Sequence, residues 1–583
     1  MPGFLKSFLA SLLAMIVFGL LAFFILIAFI GGLASKDRPR VRPKSVLVLD
    51  LGQHYAEQLQ DNGFGALGGG SDVPGLYDVV RLLARAKEDK NISGLYIIAN
   101  GNANGFAASE EIRNAVLDFK ASGKFVLAHG DVVSQKAYSI ANAANRVYVS
   151  PQGYLEWDGY QVAYFFLKGT LEKLGIEPQI FYAGKFKSAT EPFRTDRMTP
   201  ENELQTSVWL QDLYAHFLVQ AAEARKTDTA TLRRLANEGA IQTAADALQY
   251  KLVDAVKYDD EVKDEIKTRL QTGKYDKTNF ITINTYREAV RPGRNGKDRI
   301  ALIYAEGDIV DGNGGEGMIG SDRYRTLIRK ARLDKSIKAI VFRINSGGGS
   351  SLASENIWRE LALAKKEKPV IVSFGDVAAS GGYYIACAAD SIFCLPTTIT
   401  GSIGVFGIIP NMEAFFRDKL GVTFDGVKTG PYADAGAIYR PMTENEKKMV
   451  QASIELIYTQ FKQRVADGRK RDTAYVDSIA QGRVWTGLRA KEIGLVDRFG
   501  GLEDAVRAAA AKAKLTDYRV SEYPEPSNVF DRFFGRSADP MNYSQKMKAE
   551  LGEENYQVYQ ELKRVQEMTR TVQARLPFRF VVQ

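Results

Sequence analysis

The distribution of hydrophobic and polar positions along this chain predicts one long apolar helix followed by two similar series of strands and helices. Residues 8–33 carry no charged side chain, and 26 such residues exceed the roughly 20 needed to cross a bilayer. Past a polar stretch, the apolar runs Val46–Leu49, Leu95–Ile98, Phe125–Leu127 and Val147–Val149 predict strands. Helical patterns such as Glu110–Phe119 lie between them. The loop Arg291-Pro292-Gly293-Arg294-Asn295-Gly296 reads as an interdomain linker. The same order then resumes with Ile300–Tyr304, Ala339–Phe342, Val370–Phe374 and Ile392–Leu395. Short, nearly continuous apolar strands alternating with helices predict parallel sheets covered on both faces, hence an α/β fold. The expected division is a tail over 1–7, a transmembrane helix over 8–33, a linker over 34–44, and tandem repeat domains over 45–290 and 299–525. Residues 526–583 are polar, with a charged helical pattern from Ser544 to Arg575. They read as a helical extension, an outer helix or an arm for subunit contact, with no chemistry assigned.

The two series are copies. Gly130-Asp131-Val132, Tyr138 and Ile140-Ala141 recur as Gly375-Asp376-Val377, Tyr383 and Ile385-Ala386, at a constant offset of 245 positions (375 − 130). Asn100 pairs with Asn345, Ala108-Ser109-Glu110 with Ala353-Ser354-Glu355, and the helical stretch Glu203–Arg225 with Glu444–Arg464. The centres of the copies differ. Ser380-Gly381-Gly382 stands where the first copy has Gln135-Lys136-Ala137, whereas Lys187 of the first copy aligns with Ala433 of the second. One half thus keeps a candidate nucleophile and the other a candidate base, which predicts one active site built from both.

Composition narrows the field. The net charge of +8 is spread among interspersed acidic and basic residues, without a basic stripe interleaved with aromatics, so nucleic acid is not an expected partner. The apolar run is too long for a signal-peptide core of about 7–15 residues, so a retained anchor is expected. Lys36, Arg38, Arg40, Arg42 and Lys44 follow that run and only Lys6 precedes it. Taken literally, that asymmetry would put the large domains in the cytoplasm. Cys387 and Cys394 offer no disulfide framework or metal-ligand spacing and read as two buried thiols.

Ser380 follows the strand Val370–Phe374, where a helix is expected to begin near Gly382. A serine at such a turn either presents its hydroxyl beside free backbone N–H groups or caps the helix. The histidines His54, His129 and His216 all lie in the first half, which disfavours a Ser-His-Asp triad and points to a lysine base. Lys187 lies in the apolar, aromatic segment Phe181–Ser188. Strand alternation would put Lys185 on the same side, so Lys185 is either a substitute base or a neighbour whose charge lowers the amine pKa of Lys187. Two surface lysines is the other reading. The run Asn345-Ser346-Gly347-Gly348-Gly349-Ser350 has spare N–H groups for an oxyanion beside Gly381, but lacks the spacing of a nucleotide loop. Ser402, in Thr400-Gly401-Ser402-Ile403-Gly404, either orients the lysine or closes a turn.

Three segments, Lys187–Phe193, Ala378–Tyr383 and Thr400–Gly404, make the chain resemble the signal peptide peptidase A family, also called protease IV, in its long two-repeat form. The likeness runs from the apolar segment to about residue 525. It implies tandem Clp protease/crotonase-like domains, a Ser/Lys endopeptidase anchored in the bacterial inner membrane with its catalytic domains on the extracytoplasmic side, and a homo-oligomer, a tetramer by resemblance. Substrates would be cleaved signal peptides and other extended apolar peptides, with no cofactor and no metal. Carried over by residue, Ser380 is the nucleophile, Lys187 the general base, Gly381 with Gly347 and Gly348 the oxyanion hole, and Ser402 a support for the lysine. The family's usual Ser-Pro-Gly-Gly is here Ser346-Gly347-Gly348-Gly349, a less pre-organised loop. Two rival readings are a crotonase-like acyl-CoA enzyme and a non-catalytic membrane scaffold.

Overall fold

The apolar runs do become strands, but they assemble into three sheets rather than two. A computed structural model describes residues 2–34, 39–59, 72–290, 296–315, 317–525 and 572–576. The first repeat supplies β1 (Ser45–Asp50), β2 (Ile92–Ile98), β3 (Phe125–Val133), β4 (Arg146–Leu155), β5 (Glu177–Ala183), β6 (Ala255–Val256) and β7 (Phe280–Thr282). Six of them form a parallel sheet in the order β6-β4-β3-β2-β1-β7. The second repeat supplies β8 (Asp298–Glu306), β9 (Asp308–Val310), β10 (Met318–Gly320), β11 (Ile337–Ser346), β12 (Gly348–Ser350) and β13 (Val370–Ala379). It continues with β14 (Ser391–Cys394), β15 (Ile399–Gly401), β16 (Val405–Asn411), β17 (Val484–Thr486), β18 (Arg498–Phe499) and β19 (Tyr518–Tyr523). Its main sheet runs β17-β15-β13-β11-β8-β19, with β14 and β18 branching from β13.

The third sheet was not expected. Its order is β10-β9-β12-β20-β16-β5, where β20 is Gln573–Arg575. Strand β5 leaves its own repeat and pairs antiparallel with β16 along seven residues, from Val405 opposite Ala183 to Asn411 opposite Glu177. Phe181 and Ala183 are accordingly buried in the second repeat's core, with Ile303, Phe342 and Phe374. Apolar burial of this kind is the main stabilising contribution.

Equivalent residues do equivalent work in both copies. The Tyr138 hydroxyl donates to the Leu252 carbonyl at 2.6 Å, and that of Tyr383 to the Leu495 carbonyl at 2.8 Å. The Asn100 side chain accepts from Asp131 N, and Asn345 accepts from Val377 N, one position beyond the equivalent of Asp131. The paired helices are Pro200–Arg225 and Glu444–Arg469, each of 26 residues. The two repeats are also joined by a buried charge cluster. Arg343, in the middle of β11 and fully buried, donates to Glu57 at 2.8 Å and Glu111 at 2.7 Å, both from the first repeat. Its remaining donors meet Ser373 Oγ and the Phe374 carbonyl.

Residues Pro2–Ala34 form one helix of 33 residues. Among the described residues, no helix is long and apolar enough to cross a membrane, so the crossing expected over 8–33 is not established by the structure. Residues 291–295 of the interdomain loop and 526–571 of the expected helical extension lie outside the described residues. The helical pattern extending to Arg575 is corrected where it can be seen: Gln573–Arg575 is a strand, because pairing with β12 and β16 overrides local helix preference.

Candidate active site

Strand β13 carries the chain up to Ser380, and the helix Gly381–Ala386 starts immediately after it. Ser380 has φ 55° and ψ −115°, a conformation costly for a residue with a side chain, on the order of 1–3 kcal/mol. It is held there by Ser380 N donating to the Gly401 carbonyl at 2.8 Å and Tyr384 N donating to the Ser380 carbonyl at 2.8 Å. Its hydroxyl makes no capping bond to the helix. Of the two readings of this serine, the helix cap is therefore the one that fails.

The crossing of β5 brings in the lysine. Beyond Ala183 the chain leaves the strand, so the expected alternation no longer applies at Lys185 and Lys187. Lys185 turns outward and lies over the Phe186 ring at 5.2 Å, while Lys187 is buried. Lys187 Nζ lies 2.8 Å from Ser380 Oγ and donates to the Ser402 carbonyl and to Ser402 Oγ, both at 3.0 Å. The contact is made within one chain. Gly482, at φ 74°, lets the lysine's backbone pass: a Cβ on it would sit 2.7 Å from Lys187 N. Gln205 fixes the same segment by donating to the Phe186 carbonyl at 3.1 Å and Ser188 Oγ at 3.0 Å, and it accepts from Val484 N. Glu191, buried, accepts from Asn202 and Thr199. Burial holds the Lys187 amine well below the usual lysine range. Among the described residues, no carboxylate offsets the loss of solvation.

Ser402 thus does both of the jobs left open for it. Its backbone N bonds to the Arg483 carbonyl at 2.7 Å and its φ of 51° turns the chain, while its two oxygens receive the lysine.

The glycine run is ordered despite lacking proline. Ser346 Oγ donates to the Gly307 carbonyl at 2.6 Å and accepts from Gly348 N at 3.1 Å. The Gly348 amide is therefore already engaged. Gly347 offers its carbonyl, which accepts from Leu576 N at 2.7 Å. Gly348 has φ 99°, and a Cβ there would lie 2.7 Å from Gly381 N, so the loop packs directly against the residue following Ser380. Gly349, not singled out from the sequence, also lies near: its N would be 3.1 Å from a Cβ on Gly381. His129 belongs to a separate cluster in the first repeat with Ser150 and Asp131. Cys387 and Cys394 are free and buried.

A buried serine with a strained backbone, a buried amine against its hydroxyl and a glycine loop alongside define a hydrolase of the serine class. The model of peptidase family S49 matches the chain twice, over residues 118–272 and 362–516, and the chain belongs to that family. It is a serine peptidase. It is 38% identical to Protease 4 of Salmonella typhi over 80% of this chain and 77% of that one. It is 34% identical to the chloroplastic serine protease SPPA of Arabidopsis thaliana, over 82% and 70% of the two chains. Protease 4 of Haemophilus influenzae matches at 35% identity over 74% of this chain and 72% of its own. Among solved structures, a ClpP1 mutant of Listeria monocytogenes overlaps 35% of this chain at 15% identity and a TM-score of 0.24, too slight a likeness to carry an argument.

Proposed function

We propose that the chain is a membrane-anchored endopeptidase in which Ser380 attacks the peptide carbonyl and Lys187 is the general base. The supporting observation is the 2.8 Å approach of Lys187 Nζ to Ser380 Oγ in a site whose burial lowers the amine pKa. A neutral amine has two N–H bonds and one lone pair. With both N–H bonds directed at Ser402, the lone pair is left for the Ser380 hydroxyl proton. Lys187 takes that proton as the acyl–enzyme bond forms and returns it to the leaving amine. Water then attacks the acyl-enzyme with the same amine as base. The Gly381 amide would receive the oxyanion, since that of Gly348 is already held by Ser346 Oγ.

The uncharged run over 8–33 is the anchor in this reading, since its length exceeds that of a bilayer core. The folded domains then face the extracytoplasmic side, against the charge asymmetry around the anchor. Peptides left in that membrane, signal peptides among them, are the substrates. Self-association is supported by exposed apolar residues such as Leu420, Phe424 and Val427. The test uses the full chain in detergent with a signal-peptide substrate. Lys187→Ala should lower turnover by about 10²–10⁴-fold while the protein stays folded. Near-normal turnover would remove Lys187 as base, and failure of a fluorophosphonate to label Ser380 would remove the nucleophile.

A further inference from the structure

Strand β20 occupies a slot that other peptides could use. Strand β12 is paired with β9 on its far side and β16 with β5 on its far side, so the space between β12 and β16 is one strand wide. There β20 runs antiparallel to β12, with Gly348 opposite Arg575, Gly349 opposite Ala574 and Ser350 opposite Gln573. Ser351 N donates to the Val572 carbonyl at 3.1 Å at one end of this ladder, and Leu576 N donates to the Gly347 carbonyl at 2.7 Å at the other. Recognition through the backbone in this way accepts any extended chain and leaves selectivity to the side-chain positions.

Ala574 lies against the glycines beside Ser380. A Cβ on Gly348 would sit 2.0 Å from the Ala574 carbonyl oxygen and 2.7 Å from Gly381 N, and a Cβ on Gly381 would be 2.9 Å from the same oxygen. An extended peptide that brings a carbonyl to Ser380 along this glycine loop takes the path of β20. Of the three residues of β20, Arg575 is the charged one. Arg575 is 2% exposed, and its Nη2 lies 3.1 Å from Oδ2 of Asp308, the first residue of β9. A guanidinium taken out of water there needs an acidic partner, and Asp308 is held in the sheet by the register of β9 with β10 and β12.

We propose that Asp308 is a specificity-determining residue that selects a basic side chain in the bound peptide, at the position opposite Gly348 that Arg575 fills in β20. The preferred substrate is then an extended peptide in which a small residue is followed by arginine or lysine. This rests on the peptidase reading above. Strand β20 is an internal copy of such a peptide, seated where a substrate would be.

The test compares two fluorogenic peptides, one containing Gln-Ala-Arg-Leu and the other norleucine in place of the arginine, on the full chain in detergent. A third peptide carries glutamate there. The ratio of kcat/KM for the arginine over the norleucine peptide is the readout, because a general loss of stability lowers both alike. We expect a ratio of about 10 or more in the wild type, the scale of a hydrogen bond to a charged group. It should fall towards one in Asp308→Asn, and Asp308→Arg should favour the glutamate peptide. A wild-type ratio near one, or an unchanged ratio in Asp308→Asn, overturns the subsite while leaving the peptidase standing. If no peptide is cleaved and a fluorophosphonate does not label Ser380, the peptidase reading falls and the subsite with it.

Discussion

Lys187 and Ser380 stand 193 positions apart in the chain, yet the amine of one lies 2.8 Å from the hydroxyl of the other. Among the described residues nothing near the amine offsets its burial, which holds its pKa well below that of a free lysine. As base, Lys187 works only when neutral. The rate should therefore rise with pH as the solution passes through the lowered pKa, then level off. A kcat/KM that falls with rising pH, or that rises only through the ordinary lysine range at about pH 10.4, would contradict this assignment.

The same burial makes a prediction for stability. An unfolded lysine keeps its proton up to about pH 10.4, whereas folded Lys187 gives it up at a lower pH. Between those two values the unfolded chain binds the extra proton, so stability contributed at this site rises with pH. Lys187→Met should consequently raise Tm at neutral pH, and the gain should shrink towards pH 10. Thermal melts of both proteins across that range provide the check; a constant difference would argue against a depressed pKa.

The Arg343 cluster predicts a large effect from a residue remote from the chemistry. Arg343→Met would leave Glu57 and Glu111 buried without their shared cation. Loss of one partner from a buried ion pair costs about 3–5 kcal/mol, so a marked fall in Tm is expected. Because both carboxylates come from the first repeat, the contact between repeats should loosen first, and limited proteolysis would detect that. A Tm within a degree of wild type would mean that the cluster contributes little.

Strand β20 competes with any peptide for the slot between β12 and β16. Proline at position 574 removes an amide hydrogen in the middle of that ladder and disfavours the strand. Ala574→Pro should lower the apparent KM for a short peptide several-fold, because a tethered competitor acts at an effective concentration in the millimolar range. An unchanged KM would show that β20 does not compete.

Much of this was legible in the sequence, for identifiable reasons. The runs Val46–Leu49 and Ala339–Phe342 sit inside β1 and β11 because strands buried on both faces leave a plain apolar signal. The split between Ser380 and Lys187 could be read because a duplication exposes what each copy has changed. The choice between Lys185 and Lys187 could not, since β5 ends at Ala183 and the alternation argument ends with it. Strands β9, β10 and β12 span three residues each, too short for periodicity to register. The charged segment around Ala574 has a helical pattern, and only its partners make it a strand. Arg343 was a missed signal: a cation within an otherwise apolar strand implies a buried counter-charge.

The pairing of β5 with β16 also fixes a stoichiometry. A duplicated peptidase could have kept two working centres, each tolerant of damage to the other. Here one sheet joins β5 of the first copy to β16 of the second, so in the proposed mechanism the two repeats share one centre and neither copy serves as a spare. On that mechanism a lesion at Lys187 or at Ser380 would silence the whole molecule, and the redundancy that duplication provides would have been exchanged for mutual dependence.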